Sequence, residues 1–295
     1  MLITPSVRTK IAGHAVRISL LWLFIVAAVI SLLAQPAAKP QSSPAPTGPG
    51  DVRARVTETL VDSTITDDPA VDKMLVAYSP RVRELDVVIG NLKGELKRGG
   101  LGSGSLGNFV ADGMRAQAAL KAGKPIDLAL MNSGGLRKSD FAEGELRIRD
   151  IFELLPFENA LITVELNGEQ MKRLLDSIVT SGLAQSGARI VYRTTADKKN
   201  ETESARLRGP GGEQDIDPAK TYTVVTIDYI YNVGGARSSV LREGTNLKPL
   251  GLTLRDAILA YVKSETAAGR DIKPILDGRF SLDRANSVNQ ETKPQ

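Results

Sequence analysis

The sequence predicts an α/β fold in which mixed sheets pack with helices, and three observations carry that expectation. Helix-type and strand-type hydrophobic patterns alternate along most of the chain. Connections range from a tight Asn167-Gly168 turn to a charged, Gly-containing loop from Thr195 to Gln214, a spread that suits a mixed sheet or two. Composition is that of a globular protein: 42% hydrophobic and 24% charged over 295 residues, enough for a sizeable core.

Taken in order, the chain opens on a leader. Arg8, Lys10 and Arg17 precede an unbroken apolar run, Ile18 to Ala34, the pattern of an export signal. As a helix the run would span about 25 Å, slightly less than the ~30 Å hydrocarbon core of a bilayer. Residues 1–34 are therefore expected to be a cleaved signal peptide or an uncleaved membrane anchor. Residues 35–50 are rich in Pro, Ala, Ser and Gly, too poor in large apolar groups to fold, and read as a linker. The folded domain is expected over 51–282, with a polar tail at 283–295.

Within that domain, Val71 to Gly90 reads as a helix followed by a strand, broken by Pro80. Leu106, Phe109, Val110, Met114 and Ala118 recur at helical spacing, so Leu106–Ala122 is expected to be an amphipathic helix. Ile126–Met131 is a short buried strand ending at Asn132–Gly135, and Arg149–Leu155 a short helix stopped by Pro156. Ala160–Leu166 alternates as a strand; Asn167-Gly168 turns the chain into a helix over Glu169–Val179. Strands are expected at Arg189–Thr194 and Tyr222–Ile227, a last helix at Thr253–Ala268, and a short strand near Arg279–Leu282.

Composition also narrows the chemistry. There is no cysteine, and the single histidine, His14, lies in the leader. Thiolate nucleophiles, Ser-His-Asp triads and His- or Cys-based metal sites cannot be built from the folded part. The net charge of +4 is mostly the leader's: without its three basic residues, the 38 Lys and Arg fall to within one of the 34 Asp and Glu. Nucleic-acid binding loses its compositional support. The acidic residues are scattered, with no pair at general acid/base spacing.

Three loop segments carry more Gly and polar character than connectivity requires. Asn132-Ser133-Gly134-Gly135-Leu136-Arg137 follows a strand; its Gly pair would let backbone N–H groups approach a ligand, and Arg137 suits an anion. It is equally a tight turn with a solvated Arg. In Leu155-Pro156-Phe157-Glu158-Asn159, Phe157 could stack on a base and Asn159 read its edge, or the two could be a core plug and a cap. Asp228 to Gly235 sets Tyr229 and Tyr231 before a Gly pair, offering a stacking ring or an ordinary loop tyrosine.

Together and in order, these segments resemble the C-terminal domain of bacterial and animal 5′-nucleotidases. The resemblance also takes in Leu106–Asp112, Val164–Gln170, Gln185-Ser186-Gly187, and Asp217-Pro218 before Tyr222-Thr223-Val224, and it covers roughly residues 60–282. It implies the substrate-binding half of such an enzyme, which holds the base between two aromatic rings. Phosphate is cut on a separate N-terminal domain, where Asp, Asn and His ligands hold two metal ions. Carried over by position, the resemblance places Asn132 and Arg137 at base and ribose, Phe157 as one ring, and Asn159 as a base-reading amide. Gly187 would be a backbone contact near the base. The second ring is Tyr229 if one residue is inserted, and the position is Ile230 if not. Two departures stand out. Ala236 and Arg237 follow Gly235 where the family has an Asp that holds the ribose hydroxyls. The family's Arg ahead of the Leu106 helix has no clean match, Arg98 being nearest. Losing the carboxylate should remove roughly 1.5–3 kcal/mol of charge-assisted bonding.

The expectation is an exported protein, periplasmic or secreted, with a membrane tether through residues 18–34 if the leader is retained. It would bind a nucleotide or nucleoside within nucleotide catabolism. It would need no cofactor of its own, the divalent metals belonging to a separate metallophosphatase subunit. The alternative is a non-catalytic structural or interaction protein of the cell envelope whose pocket has decayed.

Overall fold

The computed structural model describes residues 57–233 and 235–285. The expected leader, the linker and the tail from residue 286 lie outside the described residues, as does Gly234. The chain divides into two compact units, Met1–Thr66 and Asp67–Gln295. Of the first, the described part is an exposed turn in which the Asp62 carboxylate accepts from the Thr64 N–H and hydroxyl at 2.9 and 2.6 Å. No helix among the described residues is long and apolar enough to cross a membrane.

The second unit carries the fold. Two short helices, α1 (Pro69–Leu75) and α2 (Ser79–Glu84), bury no residue. Pro80 lies in the first turn of α2, where its missing N–H costs nothing, so it starts a helix rather than breaking one. Strands β1 (Val88–Leu92) and β2 (Leu96–Lys97) lead to α3 (Gly104–Ala122), which buries Leu106, Phe109, Val110, Met114 and Ala118 as their spacing predicts. Then come β3 (Leu128–Met131), β4 (Asp140–Phe141), β5 (Gly144–Arg147), α4 (Ile148–Leu154) and β6 (Ala160–Asn167). Asn167 is not part of a free turn. Its side chain accepts from Gln170 N, and Gln170 Oε1 accepts from Asn167 N, both at 2.9 Å, a capping box that starts α5 (Gly168–Ser181).

Beyond α5 lie β7 (Ala184–Ser186), β8 (Ala188–Thr194), β9 (Asn200–Gly209) and β10 (Gly212–Gln214). The expected loop at Thr195–Gln214 is therefore a hairpin. Its residues are mostly polar, with only Ala205 and Leu207 turned to the core, so no sustained apolar alternation marks the strand; backbone pairing to β8 and the buried Leu207 hold it. The remaining elements are β11 (Thr221–Ile227), α6 (Asp228–Asn232), α7 (Ala236–Arg242), β12 (Thr245–Thr253), α8 (Leu254–Ala267) and β13 (Phe280–Leu282). The Asp228 segment, read as a loop, is thus a short helix.

A five-stranded sheet, β12-β6-β11-β3-β7, forms the centre, and a four-stranded sheet, β10-β9-β8-β13, stands beside two small pairs, β1-β5 and β2-β4. In the central sheet β3 and β11 run parallel, while the other neighbours are antiparallel. Asp127 fixes the parallel register: its N–H donates to Thr223 O at 2.9 Å, and its carboxylate accepts from Thr223 N at 2.7 Å. One contiguous apolar cluster, from Ile89 to Ile272, fills the space between sheets and helices. Edge strand β12 is interrupted by bulges and carries Pro249, features that discourage a further strand from pairing there.

Candidate functional site

Strand direction brings the three loop segments together. Because β3 and β11 are parallel, their C-terminal ends lie side by side, followed by Asn132–Arg137 and by Asp228-Tyr229. Strand β6 runs antiparallel to β11 with Leu161 opposite Ile227, so the Leu155–Asn159 loop that enters β6 reaches the same end. The carboxyl ends of parallel strands are where α/β sheets commonly open a ligand crevice. Here Asn132, Gly134, Gly135, Arg137, Phe157, Asn159 and Tyr229 line one cleft of about 270 Å³. That is close to the lower end of small-molecule sites, roughly 300–1,000 Å³.

Five of the six sequence-predicted residues are in this cleft. Phe157 and Tyr229 are 47% and 49% exposed, while Ile230 is fully buried in the core. The ring at the cleft is Tyr229, the assignment that requires the inserted residue. The Arg137 guanidinium lies 5.5 Å from the Phe157 ring centroid, and Arg137 has no carboxylate partner among the described residues. Asn132 Oδ1 is buried without a hydrogen-bond partner, an uncommon state for a buried acceptor. The glycines pack closely on that amide: a Cβ on Gly135 would sit 3.4 Å from Asn132 Oδ1, and one on Gly134 would sit 3.5 Å from Nδ2, both ordinary contact distances. Arg98 is exposed, donates to Leu136 O at 3.2 Å and does not line the cleft.

Gly187 is not brought to the cleft. Strand β7 pairs antiparallel to β3 with Ser186 opposite Ala129, which sets Gly187 beside Asp127 at the opposite end of β3. At about 3.3 Å per residue, the five residues from Asp127 to Asn132 separate the two places by roughly 16 Å. Gly187 is glycine for another reason: its φ is +115°, and a Cβ would lie 2.1 Å from Asp127 O. It lines a separate cavity with Arg115, Asp112, Asp277 and Arg279. Arg279, 6% exposed, holds Asp112 bidentately at 2.9 and 2.8 Å and reaches Asp277 Oδ1 at 2.9 Å. Burial works against the Arg279 charge, but the two carboxylates outweigh it and raise its pKa. Burial likewise opposes the Asp277 charge, and Arg279 more than compensates, lowering the Asp277 pKa. Arg115 donates to the carbonyls of Ile126 and Arg208, and burial lowers its pKa.

Two residues to which sequence reading gave no role bond to the segments that carry the cleft's side chains. Asp228 Oδ1 accepts from Tyr229 N at 2.7 Å and from Ala160 N at 3.2 Å, tying the start of α6 to the start of β6. Arg255, in the first turn of α8, donates to Leu155 O, Pro156 O and Glu158. A sequence signal for Arg255 exists: it shares a helix face, three and seven residues apart, with buried Ile258 and Val262. Among the described residues, no group of three or more His, Cys, Asp or Glu side chains is placed to hold a metal ion.

With the cleft described, known proteins place the chain. The family model for the 5'-nucleotidase C-terminal domain matches residues 88–242. The chain belongs to that family. It is similar to the trifunctional nucleotide phosphoesterase protein YfkN of Bacillus subtilis, 29% identical over 184 residues, which is 60% of this chain and 12% of that protein. It is 28% identical over 200 residues to the cell wall protein Lmo0130 of Listeria monocytogenes, covering 64% of this chain and 25% of the relative. Among solved structures, the 5'-nucleotidase precursor of Thermus thermophilus superposes with a TM-score of 0.60 at 25% identity, over 72% of this chain and 43% of that one. The chain thus spans a quarter or less of those two curated relatives, and its mixed α/β architecture is that of the family's C-terminal domain.

Proposed function

We propose that this chain is an exported domain that binds a nucleotide or nucleoside in nucleotide catabolism, and that phosphate ester hydrolysis needs a separate metallophosphatase chain carrying the divalent metals. The convergence of Phe157, Tyr229, Asn132, Asn159 and Arg137 on one cleft carries the reading. A nucleobase offers two π faces and an edge of donors and acceptors. The half-exposed rings suit the faces and the two amides suit the edge. Arg137, free of carboxylates, suits the sugar hydroxyls or a phosphate. The basic leader with its apolar run supports export, as does similarity to a protein named for the cell wall. Exposed Val71, Met74, Val76, Tyr78 and Val82, just ahead of the family domain, offer an apolar surface of the kind protein partners cover.

The chain's own residues bind and orient in this reading and make no bond to the reacting phosphorus. The test is calorimetry of the full chain with AMP, adenosine and UMP. Saturable binding weakened by Phe157→Ala is expected. No binding up to millimolar ligand would overturn the proposal and favour the envelope interaction protein, to which Ala236 in place of the ribose-holding Asp already points.

A further inference from the structure

We infer that Arg255 is a positioning residue for the cleft, holding the Leu155–Asn159 loop so that Phe157 and Asn159 face a ligand. Its consequence for binding rests on the function proposed above; its geometry does not. A guanidinium that is only 8% exposed, in the first turn of a helix, is costly unless its donors are filled. Every group that fills them belongs to one segment. Nη1 donates to Leu155 O at 3.4 Å and to Pro156 O at 3.3 Å, and Nη2 donates to Glu158 Oε1 at 3.0 Å. The guanidinium carbon lies 4.3 Å from the Phe152 ring centroid, and Nε is buried without a partner.

Nothing in this set strengthens α8 itself. The loop it touches lies between α4 and β6 and has no ladder of its own. Its carbonyls would otherwise turn to water, leaving Phe157 free to swing away. The neighbouring backbone completes the clamp: Leu254 N donates to Asn159 O, and Arg137 N donates to Leu154 O, both at 2.9 Å. Both edges of the loop are thus held, and Arg255 fixes its middle. A planar fork can meet two carbonyls and a carboxylate while stacking on a ring, whereas an ammonium cannot. The role therefore belongs to arginine in particular.

Hydrogen exchange by mass spectrometry and AMP calorimetry on the full chain test this. Arg255→Met should speed exchange across 155–159 by about tenfold, leave 258–266 in α8 within about twofold, and raise the Kd for AMP by about tenfold. Arg255→Lys, which keeps the charge and stem and is the variant to use if the Met protein fails to fold, should fall between that variant and wild type in both readouts. Unchanged loop exchange in Arg255→Met, or in Arg255→Lys where that is the only folded variant, overturns the inference, and so does a loosened loop with unaltered AMP affinity. Faster exchange throughout α8 as well would reduce Arg255 to a structural residue and overturn it too. If wild type fails to bind AMP, the nucleotide reading falls, while the exchange measurement still decides whether Arg255 holds the loop.

Discussion

If Phe157 and Tyr229 enclose one base, removing either ring should weaken binding while leaving the protein folded, at a cost to stability of similar size. Phe157 is 47% exposed, so its truncation forfeits only about half of a fully buried ring's contribution, on the order of 1 kcal/mol. Loss of its cation–π contact with Arg137, at 5.5 Å, adds roughly 0.5–1 kcal/mol. A base stacked on an aromatic ring is worth about 1–3 kcal/mol, so Phe157→Ala should raise the Kd for AMP roughly 5- to 150-fold. Tyr229→Ala should behave alike. The double variant is the sharper measurement, because a base that has lost one wall is free to shift and gains less from the other. Calorimetry on the four proteins should therefore give a combined loss smaller than the sum of the single losses, by more than about 0.5 kcal/mol. Single variants within twofold of wild type, or losses that add, would refute the shared sandwich.

Other expectations follow from the same geometry. Gly187→Ala should destabilise the fold by at least the roughly 1–3 kcal/mol of backbone strain, since its φ is +115° and the new Cβ meets Asp127 O. Urea titration checks this, and AMP affinity of the folded fraction should stay within twofold because Gly187 lies away from the cleft. The Asp277 pKa is depressed in the folded state, so its contribution is present above the unfolded pKa near 3.8 and is lost as pH falls through the lower folded value. Melting temperature should accordingly drop below about pH 4, and Asp277→Asn should flatten that decline; an identical acid limb in both proteins would count against the coupling to Arg279. Asn132→Ala removes a buried oxygen that has no partner, so thermal stability should hold or rise slightly while AMP binding weakens by about 0.5–1.5 kcal/mol. A stability loss with unchanged binding would show that Asn132 serves the fold.

The sequence by itself determined the apolar periodicities, and so α3, β3, α5, β11 and α8 stand within a few residues of where their spacing places them. It also carried the ordered motifs that mark the family, and the residue types of the cleft. Strands with only a partial apolar face were illegible. Strand β9 turns only Ala205 and Leu207 to the core and β12 is largely exposed, so both rest mainly on backbone pairing, which leaves little hydrophobic signature. Register was the larger gap. Nothing local says that β7 runs antiparallel to β3, yet that pairing sends Gly187 to the end of the strand opposite Asn132. Nor does local sequence choose between Tyr229 and Ile230; the start of α6 turns the tyrosine towards the cleft and the isoleucine into the core. Arg255 depended on the same long-range information, because its acceptors lie about a hundred residues earlier in the chain. Residue chemistry and periodicity are local properties of the chain, whereas which side chains share a cleft is set by strand direction and pairing, which only the folded sheet decides.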